Sequence, residues 1–199
     1  SLTNTANTSA VNAGGSVTFT TTVTGGTVTV AGGTLTGAAT VGNATSGTAI
    51  LTQTSGSTGA VTVSDRGTLN ASGGTVGAVE AAVDSSGTAA DVNLTGTAVV
   101  ASLDLNAGAG HVVSNNAEVT GVVTIDNATL TQSGAGSKLG TDGTTASTVT
   151  VGTTGVLDVN GGMVGAIDNS GTTTIDSASA TSLTNTANTS AVNAGGSVT

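Results

Sequence analysis

Residues 26–38 read GTVTVAGGTLTGA, residues 67–78 read GTLNASGGTVGA, and residues 155–166 read GVLDVNGGMVGA. Each stretch opens with Gly, continues with mostly alternating residues and has a Gly-Gly pair in the middle. Alternation with a period of two is the pattern of a strand with one buried face. Gly supplies the backbone freedom that a tight turn needs. The three stretches therefore predict short strands joined by turns.

Related units can be aligned along the whole chain at a spacing of about 20 residues. Their first positions are Ala10, Gly26, Gly47, Gly67, Gly87, Gly110, Ala128, Gly155, Gly171 and Ala191. A unit of this length is too short to join two parallel strands through a helical crossover. It fits one coil of a solenoid, with three short strands joined by turns. We therefore predict an all-β parallel β-helix (β-solenoid) of about nine coils.

A second, longer period contains these units. Residues 1–18, SLTNTANTSAVNAGGSVT, are identical to residues 182–199. We interpret residues 1–181 as one long repeat and residues 182–199 as the start of the next, so the parent chain is expected to be a tandem array. A fusion that duplicated one end is the alternative.

The second and third positions of the units predict an outer and an inner column. The residues expected to face outward are Thr27, Thr68, Thr88, Thr129 and Thr172. The residues expected to point inward are Val28, Leu69, Val112, Leu130 and Leu157, and the same alignment adds Ala49 and Ala89 to this inner column. In a solenoid each small apolar residue meets another above and below it, so even a thin core is continuous.

Composition excludes several classes of protein. The chain has no Cys, so it has neither disulfides nor a Cys-ligated zinc site. Two basic residues, Arg66 and Lys138, are too few against 11 acidic ones to form a surface for nucleic acid. No apolar run approaches the roughly 18 residues of a membrane-spanning helix. We expect no nucleic-acid partner and no transmembrane segment.

The Gly-Gly turns, the composition and the coil period resemble bacterial surface β-helix proteins, namely autotransporter passenger domains and filamentous-haemagglutinin-type adhesins. The resemblance rests on stretches such as GTVTVAGGTLTGAATVGNATSG from residue 26 and GTLNASGGTVGAVEAAVDSSG from residue 67. It implies a right-handed parallel β-helix that is exported to the cell surface as a fibre, stalk or adhesin. No catalytic motif accompanies it. The near-exact long repeat favours a structural filament.

Four aspartates recur near the ends of successive units: Asp65, Asp84, Asp104 and Asp126. Stacked coils would place them in one column about 5 Å apart, where like charges repel. A bound Ca²⁺ would relieve that repulsion, because this ion takes oxygen ligands. The simpler alternative is that each Asp is a solvated turn residue. Calcium is therefore the one cofactor considered, and no other cofactor is expected.

One unit is long, with 27 residues from Ala128 to Gly155. We assign the excess to residues 134–145, GAGSKLGTDGTT, as a loop that bulges from the rod. It contains Lys138 and, four positions later, Asp142. Loops on rigid scaffolds often carry recognition, although a tolerated insertion is the alternative.

Two remoter functions are alternatives to a structural role. A glycan-active enzyme could use two carboxylates such as Asp84 and Asp104, but the chain has no Trp or Tyr to stack on a sugar. The single His, His111, is interpreted as a surface residue. An ice-binding solenoid needs paired Thr columns. The second column would lie two residues after the outward one, and its expected members are Thr29, Ile50, Asn70, Ala90, Val113, Thr131, Asp158 and Thr174, so half of the pairs are broken.

The sequence therefore predicts a non-enzymatic segment of an extracellular filament, surface fibre or stalk. An adhesin that binds a surface or glycan through residues 134–145 is the alternative. The expected partner is the protein itself, through covalent continuation of the repeat or head-to-tail stacking.

Overall fold

The computed structural model describes residues 2–18, 20–42, 47–82, 90–106 and 112–199. These residues form 24 β-strands and no helix, and all pairings between the strands are parallel. In chain order the strands are β1 (Leu2–Asn4), β2 (Thr8–Asn12), β3 (Ser16–Val17), β4 (Thr21–Val23), β5 (Gly26–Leu35), β6 (Ala39–Val41), β7 (Ala49–Thr58), β8 (Val61–Val63), β9 (Gly67–Ala71), β10 (Thr75–Ala81), β11 (Asp91–Leu94), β12 (Val99–Asn106), β13 (Val112–Asn115), β14 (Glu118–Val119), β15 (Val123–Asp126), β16 (Thr129–Ser133), β17 (Lys138–Leu139), β18 (Thr148–Val151), β19 (Val156–Asn160), β20 (Gly162–Asn169), β21 (Thr172–Ile175), β22 (Ala178–Asn185), β23 (Thr189–Val192) and β24 (Ser197–Val198).

The strands lie in three stacks, and each turn of the chain contributes to all three. The first stack is β2, β5, β7, β9, β11, β13, β16, β19, β21 and β23; the second is β3, β5, β7, β10, β12, β14, β17, β20, β22 and β24; the third is β1, β4, β6, β8, β10, β12, β15, β18, β20 and β22. The longest strands pass from one stack into the next. The fold is thus a parallel β-solenoid of about nine turns, which confirms the predicted fold class.

The core of the first stack is a column of fully buried apolar side chains. Its described members are Val28, Leu51, Leu69, Val92, Leu130 and Leu157. Four of them are among the predicted inward residues. The predicted outward residues Thr27, Thr68 and Thr129 are half-buried and Thr172 is exposed, so the two faces alternate as expected.

The register corrects two of the predicted coils. Val28 lies opposite Leu51, whereas Ala49 lies opposite Gly26. Val113 lies opposite Leu130, so placing Val112 in the inner column was wrong by one residue. The physical reason is that links between stacks differ in length, so a fixed offset from the unit-opening Gly does not mark the same position in every strand; Gly47-Thr48, for example, lies in the link before β7. Thr88 and Ala89 lie outside the described residues.

The two identical segments occupy equivalent positions in the solenoid. Residues 1–18 contain β1, β2 and β3, while residues 182–199 contain the end of β22, then β23 and β24. Each copy therefore contributes one strand to each stack, and the two copies are separated by nine turns.

Candidate functional site

The turn that contains Leu130 is longer than its described neighbours and carries an additional loop. Leu130 lies opposite Leu157, which confirms the 27-residue unit. Its extra residues form a loop at 140–147, between β17 and β18. The equivalent link after Leu35 has only residues 36–38. The predicted loop at 134–145 was therefore placed too early, because residues 134–139 form an ordinary turn and strand β17.

Lys138 belongs to the rod and holds the loop against it. It lies in β17, opposite Glu118 of the preceding turn and Met163 of the following one. Its Nζ lies 3.3 Å from Glu118 Oε2 and donates a hydrogen bond of 2.8 Å to the backbone carbonyl of Asp142. Both charged side chains are about 30% exposed, so the ion pair is partly shielded from water.

Asp142 organises the tip of the loop. Its Oδ1 accepts hydrogen bonds from the Thr144 hydroxyl and from the backbone N–H groups of Thr144 and Thr145, each at 2.7 Å. These bonds, the Thr144 hydroxyl first, lower the pKa of Asp142 to about 2. The carboxylate closes a local turn, and Lys138 contacts the Asp142 carbonyl rather than this carboxylate. The two predicted loop residues are thus neighbours with different roles: Lys138 binds the loop backbone, and the Asp142 carboxylate closes the turn.

A surface cleft of about 350 Å³ lies beside the ion pair. It is lined by Gly96, Thr97, Ala98, Val99, Ala117, Glu118, Gly136 and Lys138. Its polar side chains are a hydroxyl, a carboxylate and an ammonium group, which suit a small hydroxylated or zwitterionic group. Glu118 was not predicted, because only the register of β14 on β17 brings it to Lys138.

The predicted aspartate column does not form among its described members. Asp104 lies opposite Thr124, and Asp126 lies opposite Asn106, two positions further along β12. Asp65 lies in the turn after β8, and Asp84 lies outside the described residues. Unequal links move each Asp to a different position along its coil. Within the described ranges no three His, Cys, Asp or Glu side chains are grouped to hold a metal ion.

Another acidic pair does lie side by side. Glu80 of β10 is directly opposite Asp104 of β12. Partial burial, and then the charge of Asp126, raise the pKa of Asp104 above its ordinary value. Two carboxylates on one wall make this side of the rod acidic. Calcium binding by the aspartates stays a prediction.

The outer threonines do not form a continuous array. Thr pairs on one strand are Thr27 with Thr29, Thr129 with Thr131, and Thr172 with Thr174. Ile50, Asp91 and Val156 take the first position in other turns. The second position was misassigned to Ile50, Ala90 and Val113, because the register places Thr52, Asn93 and Ser114 there. For the enzyme alternative, His111 lies outside the described residues, as Asp84 does.

No protein-family model matches the chain, and searches of curated proteins and of solved structures find no match either. The relation to surface β-helix proteins therefore stays a prediction, while the β-solenoid fold is shown. Across the described residues, no helix is long and apolar enough to cross a membrane.

Proposed function

We propose that this chain is a structural, non-enzymatic segment of an extracellular filament, surface fibre or stalk. The observation that carries the proposal is the position of the two identical 18-residue segments. They form the same three strands, nine turns apart, in one continuous stack. A further repeat can therefore follow in the same register, so that length grows without a change of fold.

The core supports the same proposal. Val, Ala, Leu and Ile side chains form the core along the rod. In the central turns, Leu51, Leu69 and Leu157 are fully buried. Each turn is held mainly by the turns above and below it, so stiffness along the axis does not depend on the number of repeats. The net charge of −9 gives the rod an acidic surface that disfavours sideways aggregation.

Rods of increasing length provide the test. One, two and four copies of residues 1–181 are joined end to end and imaged by electron microscopy. Nine coils spaced by about 4.8 Å predict that each copy adds roughly 43 Å at constant width. Chains of separate globules, or a width that grows with copy number, would contradict the proposal. Labelling of intact cells of the source with antibody against the rod tests the extracellular location.

An adhesin is the second candidate, favoured by the loop at 140–147 and the cleft beside Lys138. The chain itself offers a matched variant, because the link at 36–38, Thr-Gly-Ala, joins the same two stacks in another turn. Replacing residues 140–147 by Thr-Gly-Ala should leave the rod intact. Loss of attachment with intact rods would favour the adhesin, and unchanged attachment would favour the purely structural role.

A further inference from the structure

The outer surface of the second stack, called here the second wall, has a self-complementary order of residues. Six successive turns each contribute one outward residue to a single column along the rod: Thr75, Val99, Glu118, Lys138, Met163 and Ser179. The order is polar, apolar, acidic, basic, apolar and polar. When the rod is turned end over end, the acid and the base exchange places, and every other position keeps its polar or apolar character.

The charges of the rod make the second wall the place where the sides of two copies can approach. In its described strands the charged residues are Glu118 and Lys138, which have opposite signs. The described strands of the other two stacks carry acidic residues and no basic ones: Asp91 and Asp158 on the first, and Glu80, Asp104, Asp126 and Asp168 on the third. Because the chain has a net charge of −9, two copies repel each other through those two walls.

Met163 projects from the second wall, and the cleft beside Lys138 offers a recess that suits a side chain of this kind. Met163 is 37% exposed. The cleft has an apolar floor, because Ala98 and Ala117 line it and are only 1% and 4% exposed. Its volume of about 350 Å³ is larger than a Met side chain, and Met163 of the same chain does not line it. An unbranched thioether adapts to irregular apolar space.

We propose that two copies of this chain pair side by side and antiparallel through the second wall, about a two-fold axis that passes between the levels of Glu118 and Lys138. This operation places Lys138 of each copy opposite Glu118 of the other. It also places Met163 of each copy opposite Val99 and against the cleft of the other. The polar residues at the two ends of the column then face each other. The contact is isologous, so it closes at two copies.

The antiparallel direction follows from the charges. In a parallel pair, a two-fold axis along the rods would set Glu118 against Glu118 and Lys138 against Lys138. In the antiparallel pair, the four charges alternate in sign, and each ammonium group lies beside two carboxylates. Within one copy the ion pair is about 30% exposed, and an exposed ion pair contributes little. A partner that covers this pair excludes water and strengthens the attraction between the charges.

The pairing goes beyond the proposed structural role and does not depend on it, because one copy holds the whole column and the cleft. It uses the same cleft as the adhesin candidate. A paired rod has this cleft filled by Met163 of the other copy, so pairing and the attachment of a ligand in the cleft compete with each other.

Sedimentation of the full chain at increasing concentration provides the first test, and we expect dimers. Met163→Glu should lower the association constant by about tenfold or more, because it places a carboxylate beside Glu118 of the other copy. Val122→Glu is the matched control, since Val122 is 54% exposed and lies in the link before β15, outside the column. It should leave association unchanged. Monomers at every concentration, or equal behaviour of the two variants, would overturn the pairing.

Charge reversal provides the second test. The Glu118→Lys chain and the Lys138→Glu chain each carry two like charges at the centre of the column, so neither should pair with itself. An equal mixture of the two should form a heterodimer, because every charge then faces an opposite one across the contact. Circular dichroism checks that both variants keep the β-solenoid. A mixture that stays monomeric would overturn the pairing.

Disulfide trapping tests the direction of the two rods, and the chain has no Cys of its own. A mixture of Val99→Cys and Met163→Cys chains should give a cross-linked heterodimer, because these positions lie opposite each other in the antiparallel pair. A disulfide between two Met163→Cys chains would mean that equal positions meet, as in a parallel pair, and would overturn the proposed arrangement. The filament proposal is judged separately, by the length of covalently joined copies.

Discussion

Gln53 and Gln132 occupy the same buried column of the first stack, four turns apart, and make the same pair of contacts. Gln53 Nε2 donates to the carbonyls of Gly73 and Thr75 at 3.1 and 3.0 Å. Gln132 Nε2 donates to the carbonyls of Gly161 and Met163 at 2.8 and 3.1 Å. Each glutamine thus ties one turn to the corner of the next.

The two glutamines differ at their side-chain oxygen. The hydroxyl of Thr58 donates to Gln53 Oε1. Gln132 Oε1 is buried without a partner in the described part of the protein, where Leu139 takes the place of Thr58 in the second stack. The side-chain amide of Gln53 is therefore fully hydrogen-bonded, whereas that of Gln132 is bonded only through its nitrogen.

Replacing each glutamine by Leu should destabilise the protein to different extents. Gln53→Leu removes both donors and leaves the Thr58 hydroxyl buried and unpaired, while Gln132→Leu removes an oxygen that already lacks a partner. We expect the loss of unfolding free energy to be greater for Gln53→Leu by about 1–3 kcal/mol. Urea unfolding followed by circular dichroism measures the free energy of unfolding of both variants. Equal losses would mean that the oxygen contact contributes nothing.

The inner and outer columns predict opposite responses to one substitution. Leu69→Asn buries an amide in the apolar column, and we expect a loss of about 2–5 kcal/mol. Thr68→Asn, on the adjacent outward position, should change stability by less than about 0.5 kcal/mol. Asn is a better probe here than Asp, because Asp91 lies opposite Thr68 and would repel a second carboxylate. Thermal unfolding checks both, and similar effects would contradict the register.

A close backbone approach explains one of the unit-opening glycines. A Cβ at Gly155 would lie 2.1 Å from the Ile125 carbonyl oxygen, whereas one at Gly136 would meet nothing within 4 Å. Gly155→Ala must shift the backbone, and we expect it to destabilise the protein by about 1–3 kcal/mol. Gly136→Ala should be neutral or slightly stabilising. Equal decreases in the midpoint of thermal unfolding for Gly155→Ala and Gly136→Ala would contradict this explanation.

The loop at 140–147 should respond to acid below the usual range for aspartate. The folded-state pKa of Asp142 is about 2, below its ordinary value of 3.8. Its carboxylate therefore favours the ordered loop at pH values above 3.8, and this contribution is lost as the pH falls through 2. The amide signals of Thr144 and Thr145 in nuclear magnetic resonance spectra report the transition. Because Asp142 is fully exposed, the melting temperature of the rod should not follow it.

Two variants isolate the role of that carboxylate. Asp142→Asn keeps an oxygen that can accept the three hydrogen bonds but removes the charge, so the loop should stay ordered and lose its acid transition. Asp142→Ala removes the acceptor, so the Thr144 and Thr145 amides should exchange rapidly at every pH. An acid transition that persists in Asp142→Asn would assign it to another group.

The sequence alone determined the repeating architecture. Alternating residues after Gly, as in Gly26 to Val30, predicted short half-buried strands, and the identity of residues 1–18 with 182–199 predicted the long repeat. These features are local, because a period of two and a turn-forming Gly can be read from adjacent residues. The burial of Leu69 and Leu157 beside the outward Thr68 followed from the same pattern.

Only the tertiary structure decided which residues of different turns meet. The links between stacks differ in length, so residues about 20 positions apart can be shifted by one or two places. That shift separated Asp104 from Asp126, placed Val113 rather than Val112 opposite Leu130, and brought Glu118 to Lys138. Each face is set by the period of its own strand, but a contact between turns depends on the length of every link between them.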